Sequence, residues 1–171
     1  MRKYDIPKLL LSGENQGVEF KEAKNSFPKD GMKTICSFAN TNNGLLILGV
    51  SENTKNKDFY ISGVNDPDKV LDELYSLLNN PNKINRNVIN EESVEVVNIK
   101  GKEIVIIPVN KVDYKDKPIY LNDNIASTYF RQGTGDFRCS QEQINSMLRD
   151  SAKESFDSTL IQDFSILDLD H

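Results

Sequence analysis

Histidine is all but missing from this chain: of its 171 residues one is His, and it is the last, His171. No Ser-His-Asp triad, Cys-His pair or histidine-rich metal site can be built from that supply. Cysteine is nearly as scarce. Cys36 and Cys139 are too few for a disulfide framework or a zinc site of the usual ligand count. Cys36 falls on the apolar side of a predicted helix, where a buried and inert thiol is expected. Long hydrophobic runs are absent too: none approaches the ~18 apolar residues of a membrane span. The charged start, Met1-Arg2-Lys3-Tyr4-Asp5, leads into no signal-type apolar region. The expectation is a cytoplasmic protein with no membrane partner. A phosphate loop is also lacking, because Met32 separates Gly31 from Lys33 and residue 26 is Ser, so no ATPase is expected. Any chemistry falls to carboxylates, Lys, Tyr or a metal held by oxygen.

The net charge of −5 argues at first against nucleic acid. Its distribution tempers that. In residues 151–171, Lys153 stands against Glu154, Asp157, Asp163, Asp168 and Asp170, a net −4, which leaves −1 for residues 1–150. A near-neutral body can still carry a basic face, since binding reads local potential rather than total charge.

The chain is organised around Phe38-Ala39-Asn40-Thr41-Asn42-Asn43-Gly44, followed at once by Leu45-Leu46-Ile47-Leu48-Gly49-Val50. A helix carrying Met32, Ile35, Cys36 and Ala39 at i, i+3, i+4, i+7 spacing is expected to stop in the Asn/Gly turn, where positive φ is tolerated. The apolar run from Leu45 to Val50 reads as one central strand buried on both faces. Before it, residues 1–16 form a lead-in with an apolar face of Ile6, Leu9, Leu10 and Leu11. Val18-Glu19-Phe20-Lys21 alternates like a half-buried strand, and Pro28 suits the first turn of the helix.

After it, residues 51–58 read as a loop or hairpin tip and Phe59-Tyr60-Ile61 as a short strand. Asp66-Pro67 opens a helix with a stripe of Val70, Leu71, Leu74, Leu77 and Leu78. Residues 94–99 and 104–109 form a hairpin around Lys100-Gly101. Residues 118–121 and 126–131 read as further strands, and Ser140-Gln141-Glu142-Gln143 has the form of a capping box. The fold class is α/β: a mixed sheet with flanking helices over residues 1–150. Residues 151–171 form an acidic tail bearing Leu160, Ile161, Phe164, Ile166, Leu167 and Leu169, expected to link to a further C-terminal region. Its stretch 157–169 is a candidate for assembling a homo-oligomer.

Candidate chemistry centres on Glu14, Glu19 and Lys21. Glu19 and Lys21 share a face of an extended segment, and Glu14 lies five residues ahead. Carboxylates so placed can hold Mg²⁺ or Mn²⁺ while the lysine orients or deprotonates a water. An amphipathic strand with a solvated acidic face gives the same pattern, and composition alone favours that plainer reading. Glu52, just past the central strand, occupies a loop position typical of functional groups, or of any surface acid. Arg131, before the turn Gly133-Thr134-Gly135, has two readings side by side: a phosphate grip beside an aromatic neighbour, or a buried ion pair to a core carboxylate such as Glu19.

Three motifs in order resemble the Schlafen Alba-type domain, also labelled a divergent AAA-type domain and found in many bacterial proteins assigned as transcriptional regulators. They are Glu14-x4-Glu19-Phe20-Lys21, then Phe38-Ala39-Asn40-Thr41-x-x-Gly44-x-Leu46-x-x-Gly49-Val50, then Tyr129-x-Arg131-x-Gly133-Thr134. The resemblance covers about residues 9–150 and implies a nucleic-acid-binding domain, with DNA ahead of RNA. Lys21, Lys33, Asn40, Thr41 and Arg131 are the candidate contacts. In the RNA-cleaving Schlafen branch, two glutamates spaced as Glu14 and Glu19, with an acid after the Gly-Val strand, form a metal site. Here that third position is Glu52 where Asp is expected, and the longer side chain would shift a bound metal. The alternatives are therefore a metal-dependent ribonuclease or deoxyribonuclease using Glu14, Glu19 and Glu52 with Lys21, and a protein-interaction or oligomerisation domain.

Overall fold

A computed structural model of the chain describes residues 3–153. The expectations for the tail beyond residue 153, including assembly through 157–169, lie outside the described residues. The lead-in folds as helix α1 (Ile6–Ser12), started by Asp5, whose side chain accepts from the Lys8 N–H at 3.2 Å, with Pro7 in its first turn. Then follow strand β1 (Val18–Lys21), helix α2 (Gly31–Thr41), strands β2 (Gly44–Leu48), β3 (Val50–Asn53) and β4 (Asp58–Ile61), and helix α3 (Pro67–Leu78). Strands β5 (Glu95–Ile99), β6 (Lys102–Val109), β7 (Tyr129–Gln132) and β8 (Gly135–Arg138) complete the β structure. A last helix, α4, runs over 141–153.

The main sheet has the order β1-β2-β6-β5, with β1 parallel to β2 and the other pairs antiparallel. Both its faces are covered. Leu46 and Leu48 of β2 and Val105, Ile107 and Val109 of β6 pack with α2 and α3. Ile47, Ile104 and Ile106 point the other way, toward Ile6 of α1 and the β3–β4 hairpin. That arrangement explains the unbroken apolar runs in β2 and β6, since a strand covered on both sides has no solvent face to mark with polar residues. Each such fully buried Leu or Ile contributes roughly 1.5–3 kcal/mol relative to exposure.

The central strand is shorter than its apolar run. Gly49, at φ +97°, ends β2, and Val50 opens the separate β3–β4 hairpin. The Gly49 carbonyl accepts from the N–H groups of both Ser62 and Gly63, which turns the chain off the main sheet. The helix stop also works differently from the expectation. No residue from 42 to 44 has positive φ. Gly44 is there for space: a Cβ at that position would lie 2.4 Å from the Phe38 ring. Pro28 precedes α2 rather than sitting in its first turn, because the helix begins at Gly31.

Residues 118–121 and 126–128 are not strands. They contribute the isolated bridges Ile84–Leu121 and Tyr120–Thr128, because Pro118 cannot donate and Asn122 and Asp123 turn the chain at φ 58° and 51°. The sequence reading assigned no strand to β8. The two predicted helix starts are formed as expected. Asp66 accepts from the Lys69 N–H at 3.1 Å, and Ser140 and Gln143 bond each other's N–H reciprocally.

Candidate functional site

Two groups of side chains gather on the α2 side of the sheet. In β1, Val18 and Phe20 enter the core on the α1 side, so alternation sends Glu19 and Lys21 toward α2. They are not solvated: the side chains are only 13% and 12% exposed. What they meet there is Arg131, carried in by β7 with no side-chain exposure at all.

Arg131 binds four oxygens. Its Nη2 donates to Glu19 Oε2 at 2.8 Å and to the carbonyls of Asn15 and Val18 at 2.8 and 3.3 Å, while Nη1 donates to Asp136 Oδ1 at 3.0 Å. The guanidinium lies 5.0 Å from the centre of the Phe38 ring. Asp136 is placed by hairpin register, directly opposite Arg131 across β7–β8. Its second oxygen accepts from Thr34 Oγ1 at 2.8 Å, and Thr41 Oγ1 accepts from the Arg131 N–H at 2.9 Å. Of the two readings of Arg131, the buried ion pair is the one the fold builds. The group fastens the start of β1, the helix α2 and the β7–β8 hairpin into one unit.

Asn40 is likewise spent inside. Its Nδ2 donates to the carbonyls of Ile119 and Tyr129 at 2.8 and 2.9 Å, and its Oδ1 accepts from the Ile119 N–H at 2.8 Å. Asn40, Thr41 and Arg131, placed by resemblance at a nucleic-acid surface, thus give their hydrogen bonds to the protein's own backbone and side chains. Lys21 reaches Asp30 at 2.9 Å and Glu19 at 3.7 Å. Cys36 lies beside Asn40, fully buried, and burial pushes its thiol up to about 12.

Glu14 stands beside Glu19 as the spacing suggests. Burial, then a hydrogen bond to Glu19 and the charge of Glu19, push its carboxyl up to about 7, against the lowering pull of the Phe20 N–H and of Arg131. Glu14 also lines a cleft of about 620 Å³ together with Lys57, Asp58, Phe59 and Thr134. The turn at Gly49 puts Glu52 on the exposed part of β3, paired across the hairpin with Phe59. Among the described residues no three His, Cys, Asp or Glu side chains converge to hold a metal ion. Glu19 already serves Arg131, so the donors do not fit a three-carboxylate metal centre.

The second group surrounds the start of α2. A pocket of about 430 Å³ opens there between α2, α3 and the 121–122 turn, floored by Phe27, Met32, Leu77, Leu121 and Tyr129. Lys29, Lys33 and Lys83 line it, with Glu73 on the α3 wall. Lys33 Nζ sits 5.3 Å from the centre of the Tyr129 ring and the Arg138 guanidinium 5.9 Å from it. Of these, the sequence reading singled out Lys33 alone. Asp136 was accessible from sequence, since a hairpin about Gly133-Thr134-Gly135 sets it opposite Arg131. Lys29, Lys83 and Arg138 carried no such signal, because only folding brings residues so far apart in the chain together.

The fold is thus a mixed α+β domain, its sheet covered on both faces and its α2 surface edged with basic side chains. The chain belongs to the Schlafen, AlbA_2 family, whose profile matches residues 14–140. Among solved structures it resembles the N-terminal domain of a protein from Nitrosomonas europaea whose name relates it to the ATP-dependent DNA helicase RecG. That likeness has 30% identity and a TM-score of 0.54, over 72% of this chain and 82% of that one. The DIP2311 protein of Corynebacterium diphtheriae shares the fold at 20% identity and a TM-score of 0.51. The match covers 78% of this chain but spans only 24% of the Corynebacterium chain. No curated protein matches. Among the described residues no helix is long and apolar enough to cross a membrane.

Proposed function

We propose that this chain is a nucleic-acid-binding domain, acting on DNA ahead of RNA, in a bacterial transcriptional regulator. The observation that carries the reading is the basic and aromatic cluster at α2: Lys29, Lys33 and Lys83 at one pocket, and Arg138 on the same Tyr129 ring. Cations interleaved with an aromatic ring are what a phosphate backbone and its bases require. The relation of a 30%-identical bacterial neighbour to a DNA helicase supports nucleic acid as the partner class. The regulator role rests on the sequence motifs alone.

An anisotropy titration of the chain with labelled duplex and single-stranded DNA and RNA, over a salt series, tests this. Phosphate contacts weaken steeply between ~50 and ~200 mM salt. Binding in the micromolar range at low salt that fades with added salt is expected; no binding of any of the four at ~20 mM salt, below that range, sinks the proposal.

A further inference from the structure

The pocket at the start of α2 has features that a duplex surface would not use. It is concave, its floor is apolar, and its volume of about 430 Å³ falls within the ~300–1,000 Å³ of small-molecule sites. A double helix presents phosphates and stacked base edges on a convex surface, so it can satisfy the lysines but cannot fill the cavity. An unstacked base can, because its faces are apolar and its edge is polar.

One wall supplies a partner for that edge. Glu73, on α3, has a carboxyl oxygen, Oε1, that is shut off from solvent and has no hydrogen-bond partner among the described residues. Buried acceptors are nearly always satisfied; this one is covered, and because it holds no bond of its own, a turn of the Glu73 carboxylate is enough to present it to a donor brought by a ligand. The rim supplies the rest, with Lys29, Lys33 and Lys83 spaced around the mouth. Lys83 and Lys29 are exposed, free to follow a backbone on either side of an inserted nucleotide.

Resting on the nucleic-acid reading, we infer that this pocket receives one unstacked nucleotide of a single strand. The base lies on the floor made by Met32, Leu77 and Tyr129. The rim lysines contact the flanking phosphates, and Glu73 accepts from an exocyclic amino group. An amino-bearing base therefore binds better than one offering a carbonyl at that edge, cytosine better than thymine.

The test uses anisotropy with labelled dC and dT twelve-mers and a twelve-base-pair duplex, on the full chain and two variants. Lys29→Ala/Lys33→Ala/Lys83→Ala removes three phosphate contacts, so the salt slope for single strands should fall by roughly 2, at about 0.7 per contact. Leu77→Trp fills the cavity and should weaken dC binding at least about tenfold while the duplex affinity stays within about twofold, as a pocket-specific loss requires. Glu73→Gln should narrow the gap between dC and dT. If single strands bind with an unchanged slope in the lysine variant, the pocket is not the site, although the chain still binds nucleic acid. That result stands even where Leu77→Trp fails to fold, because Lys29 and Lys83 are surface residues and Lys33 is half-buried. If no nucleic acid binds the parent chain, the broader proposal falls and this one with it.

Discussion

Arg131→Met isolates the buried ion cluster that joins β1 to the β7–β8 hairpin. Methionine keeps much of the length and apolar stem of arginine, so the substitution removes charge and donors with little change of volume. Glu19 and Asp136, 2.8 and 3.0 Å from the guanidinium, have side chains only 13% and 11% exposed; without it Glu19 keeps only Lys21, at 3.7 Å, and Asp136 loses its ion pair. Breaking a buried pair by taking away one partner costs about 3–5 kcal/mol. The carbonyls of Asn15 and Val18 lose their donor as well, so the upper half of that range applies. Urea denaturation followed by far-UV circular dichroism gives the difference directly. Arg131→Lys should fall between, since one ammonium cannot span two carboxylates as a planar fork does. Adding Glu19→Gln and Asp136→Asn to Arg131→Met should return a large part of the loss, because the stranded charges go with it. A loss below about 1 kcal/mol for Arg131→Met would refute the reasoning, since the desolvated carboxylates alone should cost more.

The Glu14 carboxyl, pushed up from 4.5 to about 7, ties stability to pH. Below 4.5 it is protonated folded and unfolded alike; as pH rises toward 7 the unfolded chain releases the proton more readily, and stability falls. Glu14→Gln should remove that slope and stabilise the domain at pH 8 by on the order of 1 kcal/mol, the side chain being partly solvent-screened. An unchanged pH profile in chemical denaturation would argue against a raised Glu14 carboxyl. Asn40→Ala strands two carbonyls and one N–H in the core and should cost about 3 kcal/mol in the same assay. Gly44→Ala presses a methyl against a Phe38 ring that is fully buried, for a loss of about 1–3 kcal/mol. Both cysteines are buried, so Ellman's reagent should react with them only as the chain unfolds; fast reaction of the native protein would contradict the packing at Cys36.

Much of the scaffold is legible in the residues themselves. Asp66-Pro67 and Ser140-Gln143 start helices because their side chains can bond N–H groups a turn away, a matter of local geometry. The apolar runs of β2 and β6 announce burial on both faces, and the two strands do lie at the centre of the sheet. Reading Leu45–Val50 as one strand failed at Gly49. Its positive φ there accompanies bonds to Ser62 and Gly63, partners that local sequence does not declare.

The candidate site divides the same way. The Glu14-x4-Glu19-x-Lys21 spacing shows that two acids and a lysine travel together on one segment, and Glu19 does face the side its strand period assigns. Whether that face meets water, a metal or an arginine depends on what packs against it. Arg131 arrives from more than a hundred residues away, and its burial turns an acidic strand face into an ion cluster. The central Phe38–Val50 stretch specified by sequence a helix and a buried strand, because these depend on spacing and hydrophobic period, while the positive-φ turn expected between them did not form. Only the tertiary structure decided that Asn40 and Arg131 are used internally, that Glu52 lies on an exposed hairpin strand, and that Lys29, Lys33 and Lys83 share one pocket. Electrostatics and hydrogen bonding act over a few ångströms of space, and separation along the chain does not report that distance.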